Sequence, residues 1–174
     1  MELSPTAYVI LGMLAVHPMS GYDIKTTVDY SVRFFWAASY GQIYPELSRL
    51  SEAGLVEGAA EPASGRRRTV YRLTAAGQDE LADWLAQEPQ VFETRDEALL
   101  KLFFADAAPD TAAASIDAKR RYHEAVLAQL REIETTGKPE GHPSVVLRFG
   151  IESCEWMVAW CEREAGRLRE GAVR

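Results

Sequence analysis

Residues 39–58, SYGQIYPELSRLSEAGLVEG, constrain the fold more than any other stretch, because they mark a helix's start, its stop and its two faces. Ser39 with Gln42 three residues on is a capping box, and Gly54 stands where a helix ends in the left-handed C′ position. Between them Ile43, Leu47 and Leu50 recur at i, i+4 and i+7, which turns them toward a core. The outward arc then holds Gln42, Tyr44, Pro45, Ser48, Arg49 and Glu52. Pro45 is least costly if the regular helix begins near Gly41, since amides of the first turn have no intrahelical acceptor to lose.

The flanking punctuation gives the order of elements. Ser4-Pro5 is an N-cap and N1 pair opening a helix to about Val16, and Ser20 to Asp23 starts a second that reaches about Tyr30. After Gly54, residues 55–60 and 69–73 are β-type runs around EPASGRRR, a Pro/Gly/Ser tip, which predicts a hairpin with a longer loop. Thr74 caps a fourth helix ending before Pro89. Beyond it the pattern is helical. Thr94 and Glu97 form a capping box before ALLKLFFAD, Asp110 opens a long helix to about Thr135, and TGKPEGHP breaks it. Ser144 begins a final helix reaching about Glu170. The expectation is a mainly α chain, with a winged helix-turn-helix domain at 1–88 and an α-helical domain at 89–174.

At about 100° per residue, the last helix aligns Leu147, Ile151, Cys154, Val158, Cys161, Ala165 and Leu168 in one seam. Phe149, Trp156 and Trp160 cluster on nearly the opposite side. A helix apolar on two opposed faces must be covered on both. One face can meet the chain's own helices and the other a second subunit; the seam is assigned to dimerisation as the candidate, and the pattern leaves open which of the two faces meets the partner. The alternative is a single chain folded around this helix as a central strut.

The formal net charge of −7 excludes a general polyanion binder, so any nucleic-acid contact must come from a local basic patch. Arg66, Arg67 and Arg68 are the densest positive charge in the chain, about twelve residues after the third helix ends. A basic ribbon beside a polar helix fits a helix in the major groove with a wing on phosphates or the minor groove. On that helix Gln42 offers a bidentate pairing to adenine, Arg49 to guanine or phosphate, and Tyr44 a hydroxyl or ring edge.

GYDI at 21–24, FFWAASYGQIYPELSRLSEAGLV at 34–56 and GRRRTVYRLTAAGQDELADWL at 65–85 closely resemble the PadR family of bacterial transcriptional regulators, over about residues 5–87. The remainder resembles the C-terminal dimerisation domain of the longer members. The resemblance implies a homodimeric repressor that binds an inverted repeat in double-stranded DNA. It carries DNA contacts over to Tyr22, Tyr40, Gln42, Tyr44, Pro45, Arg49 and the wing arginines Arg66, Arg67 and Arg68. It also implies a small planar or phenolic effector near the dimer interface, for which Trp36, Trp84, Phe103, Trp156 and Trp160 are the candidate pocket. Two positions depart from the family pattern: Arg67 stands where the wing usually has proline, and Ser51 where RLE usually precedes the Gly-Leu turn.

Other chemistries find little purchase. The early apolar run at 7–16 lacks a basic n-region and a small-residue cleavage site, and no run reaches the roughly 18 residues a membrane span needs. Cys154 and Cys161 lie seven apart on one helix, roughly 10 Å at the helical rise, too far for an intrachain disulfide. His17, His123 and His142 stand at no catalytic or zinc spacing. The expectation is a cytoplasmic protein that is not an enzyme, with no cofactor, metal or membrane partner. Two rivals stay open, a winged-helix module that binds protein and a small-molecule sensor with secondary DNA affinity.

Overall fold

The first three helices start where their capping residues stand, and the rest of the architecture follows from what those helices bury. A computed structural model describes residues 3–36, 39–63, 66–89 and 95–170, leaving aside the side chains of 61–63, 66 and 67. The chain divides into two compact units, Met1–Gln90 and Val91–Arg174.

In the first unit α1 (Pro5–Val16), α2 (Gly21–Tyr30) and α3 (Tyr40–Glu52) precede β2 (Val56–Ala63), β3 (Arg66–Leu73) and α4 (Ala75–Leu85). The Ser4 hydroxyl caps α1 by accepting from the Ala7 amide at 3.1 Å, and Thr74 caps α4 by accepting from the Gly77 amide at 3.1 Å. Gly54, at φ +71°, ends α3 while the Leu55 amide donates to the Leu50 carbonyl at 2.9 Å, the bonding of a Schellman motif. Ala7, Ile10, Leu11, Ile24, Val28, Ile43, Leu47 and Leu50 are wholly buried and form a single core.

The hairpin differs from the expected one. Its strands are longer, running in register from Val56 opposite Leu73 to Ala63 opposite Arg66, so Arg66, Arg67 and Arg68 belong to β3 rather than to a loop. A two-residue strand β1 (Met19–Ser20), which carries too few residues to show a period, pairs with β3 on its other side. Three helices, a three-stranded antiparallel sheet with a protruding ribbon and a fourth helix make a winged helix-turn-helix.

The second unit contains α5 (Glu97–Phe103), two short 3₁₀ turns, α6 (Ala112–Thr136) and α7 (His142–Arg169). Asp110 lies in the second of those turns instead of opening α6. Asp96 caps α5, accepting from the Leu99 amide at 3.0 Å; Thr94, where the sequence places that cap, lies outside the described residues. α6 and α7 pair along their length, and Gly150 of α7 lets Leu130 of α6 approach, since a Cβ there would stand 3.1 Å from Leu130 Cδ1.

Candidate nucleic-acid interface

The arc of α3 opposite Ile43, Leu47 and Leu50 leaves Gln42, Tyr44, Pro45, Ser48, Arg49 and Glu52 exposed. α2 adds Tyr22, so three exposed rings form a ladder across the two helices. The Tyr22 and Tyr40 centroids are 6.5 Å apart, and those of Tyr40 and Tyr44 6.3 Å, with interplanar angles of 24° and 19°. Lys25 Nζ sits 5.4 Å from the Tyr40 ring centre, within cation–π range. The ladder depends on Gly21, where a Cβ would stand 2.7 Å from Tyr44 Cε1. The glycine of GYDI is thus what lets the tyrosine of α3 lie against the start of α2.

Two features of α3 bear on what its outer face can offer. Gln42 Oε1 accepts from the Ser39 amide at 2.9 Å and from the Ser39 hydroxyl at 3.2 Å. Its carbonyl is occupied by the cap, so in this conformation only its NH₂ is free and bidentate pairing to adenine is closed. α3 begins at Tyr40, one residue from the expected start, and Pro45 nonetheless lies in the second turn. It therefore denies the exposed Gly41 carbonyl its i+4 donor, a cost in the helix interior.

Arg49 and Arg68 are both held by carboxylates of their own unit. Arg49 Nη1 donates to Glu46 Oε2 at 3.3 Å while its side chain stays 73% exposed. Arg68 reaches from β3 to Asp23 at the start of α2, and Lys25 pairs with Asp29. Burial would push the Asp23 carboxyl up, but hydrogen bonds from the Ser20 amide and hydroxyl and the Arg68 guanidinium together hold it below the usual range. Hydroxyls on rings and guanidinium forks suit phosphate oxygens and base edges, yet each of these three cations carries a counter-charge. The side chains of Arg66 and Arg67 lie outside the described residues.

In the second unit the seam assigned to dimerisation turns inward. Ile151, Cys154, Cys161 and Ala165 are buried, and Leu147, Val158 and Leu168 half-buried. Cys161 and Ala165 pack with Ile116 of α6, and Cys154 Sγ lies 3.8 Å from His123 Nδ1 of the same helix. These side chains already have a covering helix within their own chain. The outer face of α7 is the one left bare, with Val145, Phe149 and Trp156 in one stripe 52%, 72% and 58% exposed. Periodicity could identify both faces but had no means of deciding which one α6 would take.

Burial pushes both thiols up, so Cys154 and Cys161 are free and neutral. Burial, then the Lys119 charge, lowers the His123 imidazole, with Asp96 partly opposing. Among the described residues no cluster of His, Cys, Asp or Glu could hold a metal, and no helix is long and apolar enough to cross a membrane.

The five aromatic candidates for an effector pocket fall in different units. Trp84 stacks on Tyr8 at 4.6 Å and Trp36 is half-buried, both in the first unit. In the second, Trp160 packs on the Ile116 cluster and Phe103 and Trp156 are exposed. The groove of that unit, about 1250 Å³, is lined instead by Leu100, Phe104, Tyr122, Met157, Lys119 and His123 among others. No single sequence period joins those residues, because they come from three helices.

A model of the transcriptional regulator PadR-like family matches residues 10–83, and one described as virulence activator alpha C-term matches residues 94–169. The negative transcriptional regulator PadR of Bacillus subtilis is 37% identical over 99 residues, 56% of this chain and 54% of that relative. This match therefore spans about half the relative's length. The crystal structure of Bacillus subtilis PadR in complex with operator DNA superposes with a TM-score of 0.82 at 28% identity, covering 93% of this chain and 98% of that one. The same protein in complex with p-coumaric acid gives 0.76 at 27% identity, over 97% and 99% of the two chains.

Proposed function

This chain belongs to the PadR-like family of transcriptional regulators, and from that premise we propose that it acts as a homodimeric repressor on an inverted-repeat operator. It is a DNA-binding regulator and not an enzyme. The observation that carries the reading is the exposed Tyr22–Tyr40–Tyr44 ladder across α2 and α3, with Arg49 exposed farther along α3, a helix whose inner face is buried.

In this reading α3 enters the major groove, with Arg49 and Tyr44 sampling base edges and nearby phosphates. Tyr22, Tyr40 and Pro45 bear on the backbone, as does the amide NH₂ of Gln42. Arg66, Arg67 and Arg68 anchor the wing. A dimer would set two such helices one DNA turn apart, roughly 34–36 Å. The outer stripe of α7 supports that pairing, since Phe149 and Trp156 are rings of a size that proteins rarely leave in water.

The proposed effector is a planar phenolic acid, the class of ligand bound by Bacillus subtilis PadR. The groove of the second unit, lined by Leu100, Phe104, Tyr122 and Met157 among others, is its candidate site, and of the five aromatic residues named from the sequence Phe103, Trp156 and Trp160 lie in that unit. The test is binding of a duplex selected from a random DNA pool. Arg49→Ala should cost about 1–3 kcal/mol on the selected site and far less on a scrambled duplex, if the contact is to a base. Equal losses on both would remove Arg49 as a base reader. p-Coumaric acid should quench tryptophan emission and release the DNA together; quenching without release would leave a sensor uncoupled from the operator.

A further inference from the structure

Glu46 is the one buried carboxylate among the described residues, 8% exposed on a helix whose outward neighbours are bare. A buried charge persists only where partners replace its water. The Ser4 hydroxyl donates to Glu46 Oε1 at 2.9 Å, and Arg49 donates to Oε2 at 3.3 Å. Ser4 is at the same time the N-cap of α1, a helix with no acidic residue in its own first turn. Glu46 thus brings to the positive end of α1 the anion its sequence lacks, and that end fixes the carboxylate in return.

What this carboxylate holds in place is the guanidinium of Arg49. We propose that Glu46 is a positioning residue for DNA recognition, which orients the Arg49 fork and opposes its use as a simple phosphate clamp. This rests on the reading of Arg49 as a base contact. One Nη1 hydrogen goes to Glu46, leaving Nη2 and Nε free for a paired contact with a base edge. A negative charge 3.3 Å from the guanidinium repels a phosphate drawn to the same group, so sequence-independent binding is weakened more than base reading. The pairing also restricts a long side chain that would otherwise sample many rotamers before each encounter.

The test is a double-mutant cycle on the full-length chain. Affinities for a duplex selected from a random pool and for its scrambled counterpart are measured at several salt concentrations, for wild type, Glu46→Gln, Arg49→Ala and the double variant. Glutamine keeps an acceptor for Ser4 and the side-chain volume, and melting temperatures check the fold. Glu46→Gln should tighten scrambled binding, steepen its salt dependence and cut the selected-to-scrambled ratio about two- to fivefold, the range of an exposed ion pair. In the Arg49→Ala background it should leave the ratio unchanged. Glu46→Asp, which keeps the charge but withdraws it by one methylene, should lower the ratio without tightening scrambled binding.

A Glu46→Gln ratio equal to wild type, with Arg49→Ala still lowering it, would overturn the positioning role and leave Arg49 as a base reader. An Arg49→Ala ratio equal to wild type would overturn the base contact itself and the role of Glu46 with it. Proportional losses on both duplexes, tracking a lower melting temperature, would make Glu46 a structural residue only.

Discussion

The two units bury their apolar residues in different ways. In the first, Ile10, Leu11, Ile24, Ile43, Leu47 and Leu50 are fully enclosed by four helices and a sheet. The large exposed side chains of α2 and α3 there include the tyrosines of the ladder, each with a polar tip. In the second, the Ile116, Cys161 and Ala165 cluster is small, while Phe103, Phe104, Phe149 and Trp156 stay mostly in water. Large apolar rings left bare mark interaction surfaces. A unit with a closed core can offer a polar face to DNA; under the proposed pairing, the unit with the open one is completed by its partner.

Matched truncations break the comparison most sharply. Leu47→Ala should cost about 2–5 kcal/mol in the unfolding of the first unit, read by denaturant titration, because it empties a wholly buried site. Phe149→Ala removes more atoms yet should change monomer stability by less than about 0.5 kcal/mol, since it lies in water within its own chain. Its effect belongs to self-association. Trp156→Asp should weaken dimerisation by roughly 2 kcal/mol or more in sedimentation velocity, whereas Cys154→Ser, on the face already covered by α6, should act through folding instead.

Two glycines of the first unit refine the contrast between its frame and its reading face. A Cβ at Gly77 would stand 2.1 Å from the Leu55 carbonyl oxygen, a backbone atom that cannot step aside. Gly77→Ala should therefore lower stability by about 1–3 kcal/mol, measured by thermal unfolding. A Cβ at Gly21 meets the Tyr44 ring, which can swing away, and stands 3.2 Å from Leu47 Cδ1 in the core, a side-chain end that must give by a few tenths of an ångström. Gly21→Ala should lower the melting temperature less than Gly77→Ala does and weaken DNA binding by about 1 kcal/mol, the scale of one displaced contact.

The smallest expected effect separates the units by acid. Burial alone would raise the Asp96 carboxyl, but Lys119 and the amides of Leu99 and Ala98 bring it below its ordinary value. A folded-state pKa below the unfolded one means the unfolded chain binds more protons in that window. The stabilisation is then present above about pH 4 and lost as pH falls through the folded value. The gap between wild type and Asp96→Asn, about 1 kcal/mol at neutral pH, should close under acid, read from second-unit unfolding. A gap that stays constant would mean that the Asp96 charge contributes nothing, either to Lys119 or to the capping amides.

What the sequence disclosed tracks how local each signal is. Ser20, Ser39, Thr74 and Gly54 act within one turn of chain, and the helices begin and end at them. The 3.6-residue period of α7 displayed two apolar faces. Which face α6 covers depends on residues such as Leu130, too distant in sequence for any window to join. β1 was invisible because two residues carry no period, and its pairing is supplied by β3. At the candidate interface, residue type pointed to Tyr44 and Arg49, and the family resemblance to Tyr22. The carboxylates that hold Arg49 and Arg68, and the amide that occupies Gln42, are contacts made only on folding.

Hydroxyl-radical footprinting of the full-length chain on a selected duplex tests the pairing of the reading faces most directly. The predicted result is a two-fold-symmetric protection whose halves are centred about one helical turn apart, lost in Trp156→Asp and in Tyr44→Ala with Arg49→Ala. A single asymmetric footprint from the wild-type chain, or a symmetric one that survives both sets of substitutions, would contradict it.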